Sequence, residues 1–398
     1  MASSPRRPRE SSATRLSDAT ASTPLIRVLG GTRDVLAILA MTLLLFVGVE
    51  LLLSIVPDEP ASDPDVTTDR RTDADTYRGA TWPHDYYREF HEAHVARWTP
   101  YVYWRHAPYD GHTVRIDARG IRHSWTPPGA GDRPAIYFFG GSTMWGTGAR
   151  DDATIPSLVA RRLDQRGLPV DVVNFGESGY VSTQEMILLL RLLQTGDVPD
   201  VVVFYDGVND SYSAYQQGQA GLPQNEYNRI AEFNSSKREP AQPSWSALLS
   251  RLRTTRLLTD RLRASQPDAT PPGHPRHEAT SELVDAVLDT YATNVAIVRS
   301  LADRYGFAAH FFWQPHLFEK RSRTAYENAE VDRFLGVNPG ADVFLDRVYQ
   351  AKRRRDLVRR DPEPVHDLSR LFADRAEPLF VDWCHLGETG NQLVAERI

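Results

Sequence analysis

Two glycines and a serine close a short apolar run, Ala135–Phe139 leading into Gly140-Gly141-Ser142-Thr143, and chemistry is expected there first. Two more runs end comparably. Val170–Val173 leads into Asn174-Phe175-Gly176-Glu177-Ser178-Gly179, and Val201–Tyr205 into Asp206-Gly207-Val208-Asn209-Asp210. Near the C-terminus Asp382-Trp383-Cys384-His385 precedes a last helical stretch, Gly390–Ile398. A serine hydroxyl is a poor nucleophile until an imidazole takes its proton, and the imidazole needs a carboxylate to hold its tautomer. The three-residue separation of Asp382 and His385 lets one loop deliver both groups. A tetrahedral oxyanion calls for preorganised donors, of which an asparagine amide and a closely approached glycine N–H are examples.

Each position also has a plain structural reading. Ser142 can cap a helix, Gly179 can supply a positive φ, Asn209 and Asp210 can form an Asx-turn, and His385 can be a surface histidine. Placement of all four segments at strand ends weighs toward chemistry, because functional groups of open α/β sheets collect at the carboxyl edge. Ser178 is a rival nucleophile, but Tyr180 stands where a G-x-S-x-G elbow needs glycine, and Ser142 lacks that pattern too. Asp206 and Asp210 are rivals to Asp382 for orienting His385. His91-Glu92-Ala93-His94 lacks the H-E-x-x-H spacing and reads as a solvated helix face. His274 and His277 suggest no ligand geometry, so no metal is expected. Gln314, after the run Phe307–Trp313, either lines a substrate pocket or steadies a loop.

The elements that must position these residues follow from periodicity. Four apolar runs alternate with helical patterns near 156–166, 183–194 and 281–304, the last with Leu283, Val287, Leu288, Tyr291, Val295, Val298 and Leu301 on one face. Continuous apolar strands between amphipathic helices indicate a parallel sheet covered on both sides. The polar region 211–280, Pro-rich over Gln266–His277, reads as an insertion or lid. Ahead of the sheet, residues 57–133 read as an acidic solvated linker to about residue 80 and then an aromatic-rich lead-in, with strand-like alternation over Thr113–Ala118 and a turn at Gly120. There is no internal repeat.

Composition bounds the class. With 398 residues, 41% of them aliphatic or aromatic, the chain has material for one large domain with appendages. A net charge of −6 argues against nucleic acid as a partner, since no basic field is present to neutralise phosphates. The single cysteine, Cys384, permits no intrachain disulfide. Val35–Val56 carries one charge, Glu50, in 22 residues. At about 1.5 Å per residue it spans a bilayer core of about 30 Å. Residues 1–34 read as a disordered tail with Arg6, Arg7, Arg9, Arg15, Arg27 and Arg33, whereas acids dominate just after the span. The positive-inside rule then puts the tail in the cytoplasm and the large domain in the periplasm or outside the cell.

The segments at 140–143, 174–179, 206–210 and 382–385 resemble the conserved blocks of the SGNH (GDSL-like) hydrolase superfamily, in order, over residues 134–398. The resemblance implies a three-layer α/β/α, flavodoxin-like fold with a parallel sheet, here preceded by one transmembrane helix. It implies Ser142 as nucleophile with its own N–H as an oxyanion donor, Gly179 and Asn209 as further donors, and Asp382 with His385 completing a triad. The first block reads GGST in place of GDS. The expected activity is a membrane-anchored serine esterase removing acyl groups, acetyl among them, from a saccharide or lipid, with no cofactor. An O-acyltransferase using the same triad and an inactive envelope scaffold are the alternatives.

Overall fold

The structure is a computed structural model that describes residues 24–55, 69–129, 131–230, 277–358 and 364–398. The chain divides into two compact units, residues 1–61 with 241–269 and residues 62–240 with 270–398. The described part of the first unit is one helix, α1 (Pro24–Ile55). Its stretch Arg33–Leu52 has a mean hydropathy of 2.6 over 20 residues with none of them buried, and it is long and apolar enough to cross a membrane. A signal sequence fits the same description. The helix also takes in residues 24–34, part of the expected disordered tail. Proline at the first helical position is preorganised for a helix, and Leu25, Ile26, Val28 and Leu29 extend the apolar run. The remaining tail, the last residue of the expected span (Val56) and residues 57–68 of the linker lie outside the described residues.

In the second unit the lead-in comes first: α2 (Pro83–Ala93), an antiparallel hairpin β1 (Ala96–Thr99) and β2 (Tyr103–His106), and the pair β3 (Tyr109–Asp110) and β4 (Arg115–Ile116). Then follow β5 (Ala135–Gly140), α3 (Ser142–Trp145), α4 (Ile155–Gln165), β6 (Asp171–Asn174), α5 (Ser182–Gln194), β7 (Val201–Asp206) and α6 (Val208–Gln217). After the insertion come α7 (Ser281–Tyr305), β8 (Ala308–Trp313), α8 (Ala325–Val337), α9 (Ala341–Val358), β9 (His366–Asp367) and α10 (Glu388–Ala395). The sheet is parallel, in the order β6-β5-β7-β8-β9.

Period-two alternation divides each strand between two cores. Tyr137, Phe139, Val202, Phe204, Phe311 and Trp313 pack with α5, α7 and α9 on one side. Ile136, Phe138, Val203, Tyr205 and Phe312 pack with α4 and α10 on the other. β5 and β7 are buried on both sides over nearly their whole length, which is why they read as unbroken apolar runs. The result is the expected three-layer α/β/α fold.

Three expectations need correction. Residues 211–217, assigned to the insertion, belong to α6, where Ser211, Ser213, Ala214 and Tyr215 are buried; their small polar side chains hide a face that packs rather than projects. The insertion therefore leaves after Gly218 and returns at His277, whose N–H donates to Tyr215 O at 3.0 Å. Residues 231–276 lie outside the described residues. Next, residues 69–80 are no solvated linker. They form two 3-10 turns, Arg70–Asp73 and Asp75–Tyr77, and bury Ala74 and Tyr77. Finally, the lead-in is no appendage. Tyr77, Tyr86, Tyr87, Phe90, Val114 and Ile116 form a third core with Trp145 of α3 and Val381. Arg122 is buried there too, pairing with Asp151 at 3.1 Å and donating to the carbonyls of Trp145, Gly146 and Ala149.

Candidate active site

β5 delivers its last residue, Gly140, to the carboxyl edge of the sheet, and Gly141 turns the chain so that Ser142 opens α3. At the first helical position the N–H of Ser142 has no partner within the helix. The Ser142 hydroxyl lies 2.6 Å from His385 Nε2, and His385 Nδ1 lies 2.7 Å from Asp382 Oδ2. Asp382 Oδ1 accepts the N–H groups of Cys384 at 3.0 Å and His385 at 2.9 Å, so the D-x-x-H segment folds as a closed turn around its own carboxylate. Burial works to raise the Asp382 pKa. The His385 charge and hydrogen bond, with Arg71 beside them, outweigh it and hold the group below the ordinary carboxylate range. Its side chain is only 14% exposed, so this ionisation is maintained in a largely dry site. The structure thus brings the three residues into one hydrogen-bonded line, although the serine and the pair are 243 residues apart in sequence.

Asn209, on the first turn of α6, sits against the Gly141–Ser142 turn, and its Nδ2 donates to Tyr180 O at 2.8 Å. A β-carbon built on Gly141 would lie 2.1 Å from that nitrogen, so the amide occupies the space that a side chain at the middle position of the first block would fill. The GGS spelling follows from this contact. Gly179 has φ +75, a conformation that favours glycine, and a β-carbon there would meet Gln224 at 3.4 Å and Trp104 at 3.6 Å. Buried Glu177 ties this loop down. Its carboxylate accepts Ser178 N–H at 3.0 Å and His106 N–H at 3.1 Å and pairs with the His106 ring. Trp104 Nε1 adds a bond to Ser178 O at 2.9 Å.

The rivals fall elsewhere. Ser178 Oγ has no hydrogen-bond partner among the described residues. Asp210 accepts the Ser182 hydroxyl at 2.6 Å and N–H at 3.2 Å, which joins α6 to the start of α5. Asp206 is buried beside Glu185. Burial first, with a share from Asp210, pushes its carboxyl up to about 8, and Glu185 is raised for the same reason. Neither aspartate reaches His385. Gln314 is buried, its Nε2 3.4 Å from Thr143 Oγ1, so it packs against the turn that carries Ser142. His91 contacts Asp69 at 2.9 Å and His94 reaches His106 at 3.2 Å, so the H-E-A-H segment holds the lead-in together and is more than a solvated face. Asp382, Cys384 and His385 present donor atoms within 4.8 Å of one another. There Nδ1 already serves the carboxylate, and burial keeps the thiol protonated and a poor metal ligand.

Glu177, Trp104, Gln224 and Arg71 are neighbours of the site that sequence reasoning passed over. Three of them stand in segments read as lead-in, linker or insertion. The signal for Trp104 was the aromatic density of 82–104; nothing in the sequence singled out Arg71.

Comparison with known proteins covers the middle of this site. Residues 138–329 match the GDSL-like Lipase/Acylhydrolase family. No curated protein matches the chain. Among solved structures, an acetyl xylan esterase is 14% identical over 66% of this chain and 96% of its own, with a TM-score of 0.32. A lipase from a goat rumen metagenome is 12% identical over 66% and 95%, with a TM-score of 0.39. A carbohydrate acetylesterase family member from Sinorhizobium meliloti is 14% identical over 66% and 94%, with a TM-score of 0.32. Residues 138–329 thus carry a GDSL-like lipase/acylhydrolase domain, which supports an ester-hydrolysing enzyme.

Proposed function

We propose that the protein is a membrane-anchored serine esterase acting outside the cytoplasm on an acyl, most simply acetyl, ester of a saccharide or lipid, with Ser142, His385 and Asp382 as its triad. The observation that carries this reading is the pair of contacts at 2.6 Å and 2.7 Å that link Ser142 to His385 and His385 to Asp382. Ser142 Oγ attacks the acyl carbonyl carbon while its proton passes to His385 Nε2. Asp382 stabilises the imidazolium through Nδ1. The carbonyl oxygen becomes an oxyanion that the N–H groups of Ser142 and Gly179 and the Asn209 amide receive. Collapse expels the alcohol, which takes the proton from His385. Water then attacks the acyl-enzyme with His385 as base, releasing the carboxylic acid and restoring Ser142.

A short acyl group fits because the Trp104 ring and Gln224 stand over Gly179, crowding the space next to that donor. The anchor reading draws on the exposed apolar stretch of α1 and the arginines before it. The test is a series of p-nitrophenyl esters of increasing chain length, run with wild type, Ser142→Ala and Ser178→Ala. Activity highest on acetate, absent in Ser142→Ala and retained in Ser178→Ala is expected. Equal activity in wild type and Ser142→Ala refutes the triad, and transfer of the acyl group to an added sugar in preference to water makes the enzyme an acyltransferase.

A further inference from the structure

We propose that Arg71, in the first 3-10 turn of the second unit, is a positioning residue that keeps the Asp382–His385 pair unprotonated and so able to act as base. The proposal rests on the triad reading above. Arg71 Nη1 lies 3.8 Å from Asp382 Oδ2, the same oxygen that faces His385 Nδ1. A guanidinium there opposes the uptake of a second positive charge by the pair.

Its placement is over-determined, unlike that of a surface arginine. Asp69 grips it as a fork, with Nε 3.1 Å from Oδ1 and Nη2 2.7 Å from Oδ2. The guanidinium carbon lies over the rings of Tyr87 and Phe90, 4.8 Å and 4.9 Å from their centroids. The side chain is 19% exposed, so solvent and salt screen the charge less than at the surface. Asp69 offsets part of the charge, and His91 contacts Asp69 in turn.

Other groups facing this region are neutral or separately paired. Burial holds the phenols of Tyr77, Tyr86 and Tyr87 protonated and raises the Cys384 thiol. His94 is kept uncharged by burial, which brings it down to about 4. From α8, Tyr326 donates to Val381 O at 2.7 Å, its phenol also raised by burial. On the same helix Glu330 sits 3.5 Å from Arg70, and burial pushes its carboxyl up to about 7. Glu330 is thus a titratable neighbour held by a different arginine, and it serves as a control.

The experiment measures kcat/KM for p-nitrophenyl acetate against pH, using the full-length chain in detergent and the variants Arg71→Gln, Arg71→Lys, Glu330→Gln and Ser142→Ala. For Arg71→Gln the acid limb moves to higher pH by about 0.5–1 unit, a loss of about three- to tenfold on that limb, with the plateau kcat within about threefold of wild type. Arg71→Lys restores the limb, and Glu330→Gln leaves it in place. An unmoved limb in Arg71→Gln overturns the proposal, as does a lysine variant displaced as far as the glutamine variant. If Arg71→Gln does not fold, Asp69→Asn gives the opposite perturbation. The uncompensated arginine then moves the limb to lower pH, and no movement is equally fatal. Activity surviving in Ser142→Ala instead overturns the triad reading itself, so the two failures are distinct.

Discussion

Gly141→Ala tests the oxyanion site through one methyl group. Gly141 has φ −76 and ψ −157, which alanine adopts freely, so the backbone is not strained. The added carbon would nonetheless lie 2.1 Å from Asn209 Nδ2 and 3.2 Å from its Cγ. Ordinary contact needs about 3.5 Å, so the amide must retreat by more than about 1 Å, a displacement that by itself can cost about 100-fold in rate. Loss of one oxyanion donor costs about 2.7–4 kcal/mol, or about 10²–10³ in kcat. Because the donor matters mainly once charge develops, KM should change little. Stability should also change little. The entropic gain from Gly→Ala is about 0.4–1 kcal/mol, and it offsets the Asn209–Tyr180 hydrogen bond, worth about 0.5–1.5 kcal/mol. The assay is initial rates on p-nitrophenyl acetate with thermal melts for Gly141→Ala, Asn209→Ala and the double variant. In the Asn209→Ala background the amide is gone, so the second substitution should add nothing. A fully active Gly141→Ala enzyme, or losses that multiply in the double variant, would refute the reasoning.

Asp382→Asn is expected to lower kcat by about 10⁴-fold, because an amide fixes the wrong histidine tautomer and cannot stabilise the imidazolium; a milder loss than Asn209→Ala would reassign the carboxylate. Asp206 binds a proton more tightly folded than unfolded, so its contribution to stability is complete below about pH 4 and is lost as pH rises toward about 8. Melting temperature should thus fall from about pH 5 to about pH 8, and Asp206→Asn should flatten that slope; an unchanged slope would show that Asp206 is ionised in the folded protein. The full-length chain should remain with membranes after a carbonate wash with its C-terminal domain open to external protease, and release at full length would refute the anchor.

Much of this protein is legible in its sequence for physical reasons. A strand buried on both faces must be apolar throughout, so β5 and β7 announce themselves to within a residue of their observed limits, and β8 does so through its buried C-terminal half. Helices 155–165, 182–194 and 281–305 show the same agreement, since an amphipathic stripe is forced on any helix that covers a sheet. Where burial is partial or the element short, the pattern fades. β9 pairs only His366 with Phe312 and Asp367 with Trp313, and two residues carry no period. The face that α6 buries uses serines and a tyrosine, so polarity there suggested an insertion where the chain packs.

Ser142, Asp382 and His385 stood out in the sequence because a serine, a histidine and a carboxylate are the types that nucleophilic acyl transfer uses. Only the tertiary structure decided that Asp382, rather than Asp206 or Asp210, faces the imidazole, since three carboxylates near one sheet edge are equivalent on paper. The same holds for Gln314, whose burial behind Thr143 is a matter of packing. Arg71 and Trp104 were illegible for a general reason. Local periodicity records which residues a segment hides, whereas contacts between residues 69–106 and the loops at 177–180 and 382–385 depend on how separate elements pack against one another.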